Sequence, residues 1–168
     1  MKHALAISFL AVTLGACGGS GNGGAADMTM GPSDFAGAVG KLCSDARADS
    51  WTLPIAKKSA NGVFTVTLLS SAASPPLIGD LTEWTVQVAD GNGAMVSDAM
   101  IDVKPWMPDH GHGTDAVAHV MAASSPGQYA ITPLYLFMAG YWTVTLTITV
   151  GAVSDTAVFS LCLADSSL

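Results

Sequence analysis

The run Lys104-Pro-Trp-Met-Pro-Asp-His-Gly-His-Gly113 sets a thioether, Met107, and two imidazoles, His110 and His112, within six positions. Thioethers select Cu(I), and imidazoles suit copper in either state and zinc, so the donor set agrees with a soft metal. His110 and His112 lie two apart around a glycine, and an extended chain there points both rings the same way. Met107 stands just upstream, beyond Pro108, placed to close the site from below. A fourth soft donor, Met138, has to arrive from another strand. Asp109 is the candidate acceptor orienting one imidazole, and Trp106 the candidate shield over the ion. His119 and Met121, also two apart, form a second-choice pair. The competing interpretation is a tight turn whose histidines satisfy loop carbonyls, with methionines filling the core. For the second pair it is a solvent-facing histidine and a packing methionine.

The elements that must carry these residues are strands. Trp142, Val144, Leu146, Ile148 and Val150 alternate with four threonines over Tyr141–Val150. That pattern predicts an antiparallel strand with one wet face. Leu81–Ala89 puts Trp84, Val86 and Val88 on one side. Asp90-Gly91-Asn92-Gly93 is a turn, after which Ala99, Ile101 and Val103 alternate with Met100, Asp102 and Lys104. With Gly62–Leu69, Ala116–Met121, Gln128–Phe137 and Thr156–Leu163, the chain shows seven short strands separated by turn signals. The expected fold is all-β, an immunoglobulin-like antiparallel sandwich. Residues 25–61 read as an irregular lead-in, with a weak helical stretch over Ser33–Leu42.

Enzymatic motifs are missing from the sequence. Glu83 is its single glutamate and sits inside a strand pattern. Gly-x-Ser-x-Gly, phosphate-cradling and His-Glu-x-x-His patterns do not occur, so a non-catalytic protein is expected. Six Lys and Arg against thirteen Asp and Glu, with only 11% charged residues, leave no basic surface for nucleic acid.

The order of these motifs resembles the YtkA-like domain family, related to FixH-type proteins. In that pattern an acidic-Gly turn leads into a strand, a Met-Pro-x-His/Met-x-His stretch follows, and a Met-x-Gly-x-Trp element comes about thirty residues later. The matching residues are Asn92-Gly93 with Val96 and Ala99, then Met107-Pro108-Asp109-His110-Gly111-His112-Gly113. Gly127-Gln128-Tyr129 and Met138-Ala139-Gly140-Tyr141-Trp142 complete the set. Asn92 stands where the family more often has an acid. The resemblance spans about residues 62–162 and implies an exported immunoglobulin-like sandwich, with copper handling suggested by its residues.

The amino terminus points to the compartment. Met1-Lys2-His3 is a basic start, Ala4–Leu14 is an apolar run of signal-peptide length, and Leu14-Gly15-Ala16-Cys17 follows at once. This resembles a bacterial lipoprotein signal, cut before Cys17, which then carries lipid such as palmitate. An ordinary secretory signal is the alternative. Six of the 18 glycines fall between Gly15 and Gly24, a flexible tether. Gly18 after the lipidated cysteine leans towards the outer membrane.

Cys43 and Cys162 remain for an oxidising compartment and predict a disulfide near the two ends of the folded region, with two buried thiols as the alternative. If Phe159 and Leu161 face the core, Cys162 faces out. The bridge then straps the preceding segment across the last strand, with Trp51 beneath it. The expected organisation is a signal peptide over 1–16, a lipidated cysteine, tether and lead-in over 17–61, and a β-sandwich over 62–163. The expected function is a lipid-anchored, periplasm-facing envelope module that binds copper and meets an envelope metal-handling or assembly protein. A metal-free structural or protein-interaction sandwich is the alternative. Without residues 1–16, five Lys and Arg against thirteen Asp and Glu give a net charge of −8. Lipid, not headgroup attraction, then has to hold the protein to the membrane.

Overall fold

The computed structural model describes residues 40–165. Cys17, the signal segment, the glycine tether and residues 33–39 of the weak helical stretch lie outside them. Among the described residues there are ten strands and no helix. The seven expected strands appear as β3 (Phe64–Ser71), β4 (Leu81–Asp90), β5 (Met100–Met107), β7 (His119–Ala122), β8 (Gln128–Tyr135), β9 (Gly140–Val150) and β10 (Val153–Ala164). Three short ones join them: β1 (Lys41–Leu42), β2 (Ile55–Lys58) and β6 (His112–Gly113).

The strands form two antiparallel sheets, in the orders β1-β10-β9-β5-β6 and β2-β3-β4-β8-β7. Alternation decides what each strand buries. Phe64, Val66 and Leu68, then Trp84, Val86 and Val88, face Trp142, Val144, Leu146 and Ile148 across the core. The four β9 threonines are half-buried on the opposite face. At about 25 cal/mol per Å² of apolar surface, burial of this two-layer core is the main favourable term in folding. The Asp90 carboxylate accepts the backbone N–H groups of Asn92 and Ala94, which closes the turn expected there.

Two stretches of the lead-in take part in the sandwich. β2 pairs with β3 from Ile55↔Leu68 to Lys58↔Thr65, and Lys41 and Leu42 extend the other sheet beside β10. Neither announces itself in sequence, because a short edge strand needs only one or two inward residues.

Cys43 and Cys162 form a disulfide, with Cα atoms 5.1 Å apart. Strand parity turns Cys162 outward, yet it is buried because residues 43–49 cross over it. Asp49 N–H donates to the Ser160 carbonyl at 2.9 Å, Ser160 N–H donates to the Asp49 carboxylate at 2.8 Å, and Lys57 pairs with Asp49. The strap therefore shields the free edge of β10. Trp51 does not lie beneath it. Its ring packs 5.9 Å from Trp84, and its indole N–H donates to Ser74 Oγ at 3.0 Å. A large apolar ring gains more at the open side of the core than on an outer face already covered by the strap.

Candidate functional site

β5 and β6 form a hairpin in which Trp106 pairs with Gly113 and Met107 with His112. The connecting residues 108–111 fold into a turn: the Met107 carbonyl accepts the N–H groups of His110, at 3.2 Å, and Gly111, at 2.9 Å. Gly111 has φ +70°, a conformation glycine adopts without steric cost. The chain between His110 and His112 is therefore not extended, and parity along a strand is not what aligns their rings. The turn brings the rings together instead, edge-on, with centroids 5.7 Å apart and planes 71° apart.

Directly opposed residues in an antiparallel pair project to the same side, with Cβ atoms about 5 Å apart. Met107 and His112 are such a pair. Met107 is fully buried in the core, so its partner His112 also turns inward. The His112 ring stacks on Phe137, with centroids 5.5 Å apart and planes 25° apart, and meets Trp142 edge-on at 6.4 Å. His112 Nδ1 lies 3.0 Å from the Gly113 carbonyl. A carbonyl only accepts, so Nδ1 carries the hydrogen and Nε2 of the neutral ring keeps its lone pair. This bond is the carbonyl satisfaction expected of a turn histidine. It is equally the tautomer a metal ligand needs.

Gly140 makes room for the thioether. A Cβ there would meet the Met107 methyl at 2.9 Å, and the residue takes φ +127°. Two residues earlier, the Met138 carbonyl accepts the Trp142 indole N–H at 2.9 Å, and the Met138 side chain packs against the core. The structure thus joins Met107 to His112 and His112 to exposed His110, and it ties Met138 to the same end of the sandwich through Trp142.

Two supporting roles are corrected. Trp106 alternates with buried Pro105 and Met107, so it faces outward, where the Lys104 ammonium covers its ring at 5.1 Å. The rings that screen His112 are Phe137 and Trp142. Asp109 does not orient an imidazole, since each of its oxygens accepts from Arg47 at 2.7 Å. This bidentate pair holds the Asp109 carboxyl below the usual carboxylate range and raises the Arg47 guanidinium further. Arg47 had no signal in the sequence, being 62 residues from its partner.

The second-choice pair sits on β7, at the edge of the other sheet. His119 faces solvent and so does Met121, at 55% exposure, because Val120 carries the inward face of that strand. Among the described residues no three His, Cys, Asp or Glu side chains gather as a metal site. A metal at the hairpin would therefore depend on thioether sulfur beside the imidazoles, a soft set that suits Cu(I).

No curated protein and no solved structure matches this chain. One family model, described as YtkA-like, matches residues 56–147, a span running from β2 into β9 and including the whole hairpin.

Proposed function

Since this chain belongs to the YtkA-like family, we propose that it is a binding module of the bacterial cell envelope that holds Cu(I) at its β5–β6 hairpin. Its β-sandwich fits a binding module. The observation that carries the copper assignment is the Met107–His112 cross-strand pair, with the His110 ring 5.7 Å from that of His112. In this reading Met107, His110 and His112 supply donors from one hairpin, and Met138 supplies a fourth from the loop before β9. Phe137 and Trp142 limit water at the site. The module works without catalysis, as a chaperone, buffer or sensor. Lipid on Cys17 and the glycine tether hold it on the periplasmic side of the outer membrane, within reach of an envelope metal-handling partner.

The test is titration of the full chain, in detergent, with Cu(I) and Cu(II), alongside His110→Ala, His112→Ala and the double variant. Saturable Cu(I) binding by the wild type that the double variant loses is the expected result. No saturable binding, or equal binding in the double variant, refutes the assignment. Incorporation of labelled palmitate that disappears in Cys17→Ser tests the anchor.

A second reading is favoured by one feature beside the hairpin. A cavity of about 480 Å³ is lined by Leu81, Thr114, Asp115, Ala116, Tyr135 and Phe137, and Leu81 is 67% exposed. Such an apolar recess at the surface suits contact with another envelope protein. Under this reading, capture of a partner is independent of metal and is lost in Leu81→Asp, which puts a charge on the exposed side of the recess.

A further inference from the structure

Arg47 reaches the hairpin from outside it. Its Nη1 and Nη2 donate to the two oxygens of Asp109, each at 2.7 Å. On the other side, Nη2 donates to Asp45 at 2.7 Å and Nε at 3.0 Å. The guanidinium carbon lies 4.1 Å from the centre of the Tyr141 ring, a cation–π distance. The Arg47 carbonyl accepts the Ser160 hydroxyl at 3.0 Å. The disulfide and the Asp49–Ser160 bonds anchor the strap that carries it. Arg47 is therefore positioned by its own segment and not by the hairpin it touches.

Asp109 directly precedes His110 and lies within electrostatic reach of it. A free carboxylate beside two imidazoles is the kind of mixed nitrogen and oxygen set that zinc accepts. With both oxygens engaged by a guanidinium, the donors left are two imidazoles and thioether sulfur. Charge acts in the same direction. Asp45, Asp109 and Arg47 together carry −1, and without Arg47 the remaining two carboxylates carry −2, which attracts a divalent ion more than a monovalent one. A lone exposed ion pair contributes little, but a bidentate pair within a network holds its geometry.

We propose that Arg47 determines metal preference at this site: by occupying Asp109 it disfavours divalent ions and leaves a soft donor set for Cu(I). This inference rests on the copper reading above. Arg47 acts through Asp109 and is not itself a ligand.

The experiment measures Zn(II) and Cu(I) affinities of the full chain by competition with chromophoric chelators. It compares wild type, Arg47→Gln, Asp109→Asn and the double variant. Arg47→Gln is expected to bind Zn(II) about tenfold more tightly, since one positive charge is lost and one carboxylate freed. Its Cu(I) affinity should stay within about twofold, since neither ion-pair partner is a soft donor. Asp109→Asn alone takes the cluster from −1 to 0 and is expected to lower the Zn(II)-to-Cu(I) ratio, and in the double variant, which carries −1 as the wild type does, the zinc gain disappears. Arg47→Lys keeps the charge but loses the planar fork, and falls between wild type and Arg47→Gln. Near-ultraviolet circular dichroism confirms that each variant retains the packed tryptophans. An unchanged ratio in Arg47→Gln, or equal losses for both metals, overturns the proposal while leaving the copper reading in place. Absence of Cu(I) binding by the wild type overturns both.

Discussion

Replacing both Cys43 and Cys162 by alanine removes a crosslink that spans 119 positions of the chain. In the chain-entropy model a loop of that length restricts the unfolded ensemble by about 5 kcal/mol at 25 °C. Loss of the buried Cys162 sulfur adds about 1 kcal/mol of packing. Against the 5–15 kcal/mol typical of a domain, the bridge then accounts for a third of the stability or more. The native state itself should change little, because β1 still pairs with β10 and Asp49 still bonds Ser160. Urea unfolding followed by tryptophan fluorescence is the assay. The variant should lose about 4–6 kcal/mol, and its m-value should rise, because an uncrosslinked unfolded chain exposes more surface. A loss below about 1 kcal/mol with an unchanged m-value would refute the reasoning, placing the bridge's effect outside the unfolded state.

Acid unfolding should carry the signature of Asp155. The Ser59 hydroxyl, followed by the N–H groups of Thr156, Asn61 and Val63, holds its carboxyl down to about 2. Since the folded value lies below the unfolded one, its contribution is fully present above about pH 4 and is lost as pH falls towards 2. Asp155→Asn should therefore be less stable at pH 7 and show a flatter stability profile across that window, measured by thermal unfolding. A profile parallel to wild type between pH 4 and 2 contradicts the assignment. Gly140→Ala places a methyl group 2.9 Å from the Met107 methyl, in a backbone conformation that L-residues rarely adopt. It should lower stability by about 1–3 kcal/mol and weaken Cu(I) binding through Met107. Unchanged denaturation midpoints would show that neither constraint matters.

Much of this molecule is legible without coordinates. Alternation over Tyr141–Val150 and Leu81–Ala89 specifies which residues enter the core, since a strand's side-chain period is a local geometric property. The antiparallel two-sheet sandwich and the Cys43–Cys162 pairing agree with what the sequence predicts, while three short strands bring each sheet to five. The same local logic fails where the chain leaves regular structure. Parity between His110 and His112 presumes an extended Gly111, and its positive φ removes that premise. Trp106 is read as a shield over the ion, yet it stands next to buried Met107, and adjacency along a strand places side chains on opposite faces.

The amino-acid sequence by itself determined an all-β sandwich, its core faces, and a segment over 104–113 rich in soft donors. Only the tertiary structure decided that Met107 and His112 are register partners, that Gly140 admits the thioether, and that Arg47 takes both oxygens of Asp109. The physical reason is range. Periodicity is set by neighbouring residues, whereas register, close approach and ion pairing across 62 positions follow from how the two sheets and the disulfide-fastened strap pack in space.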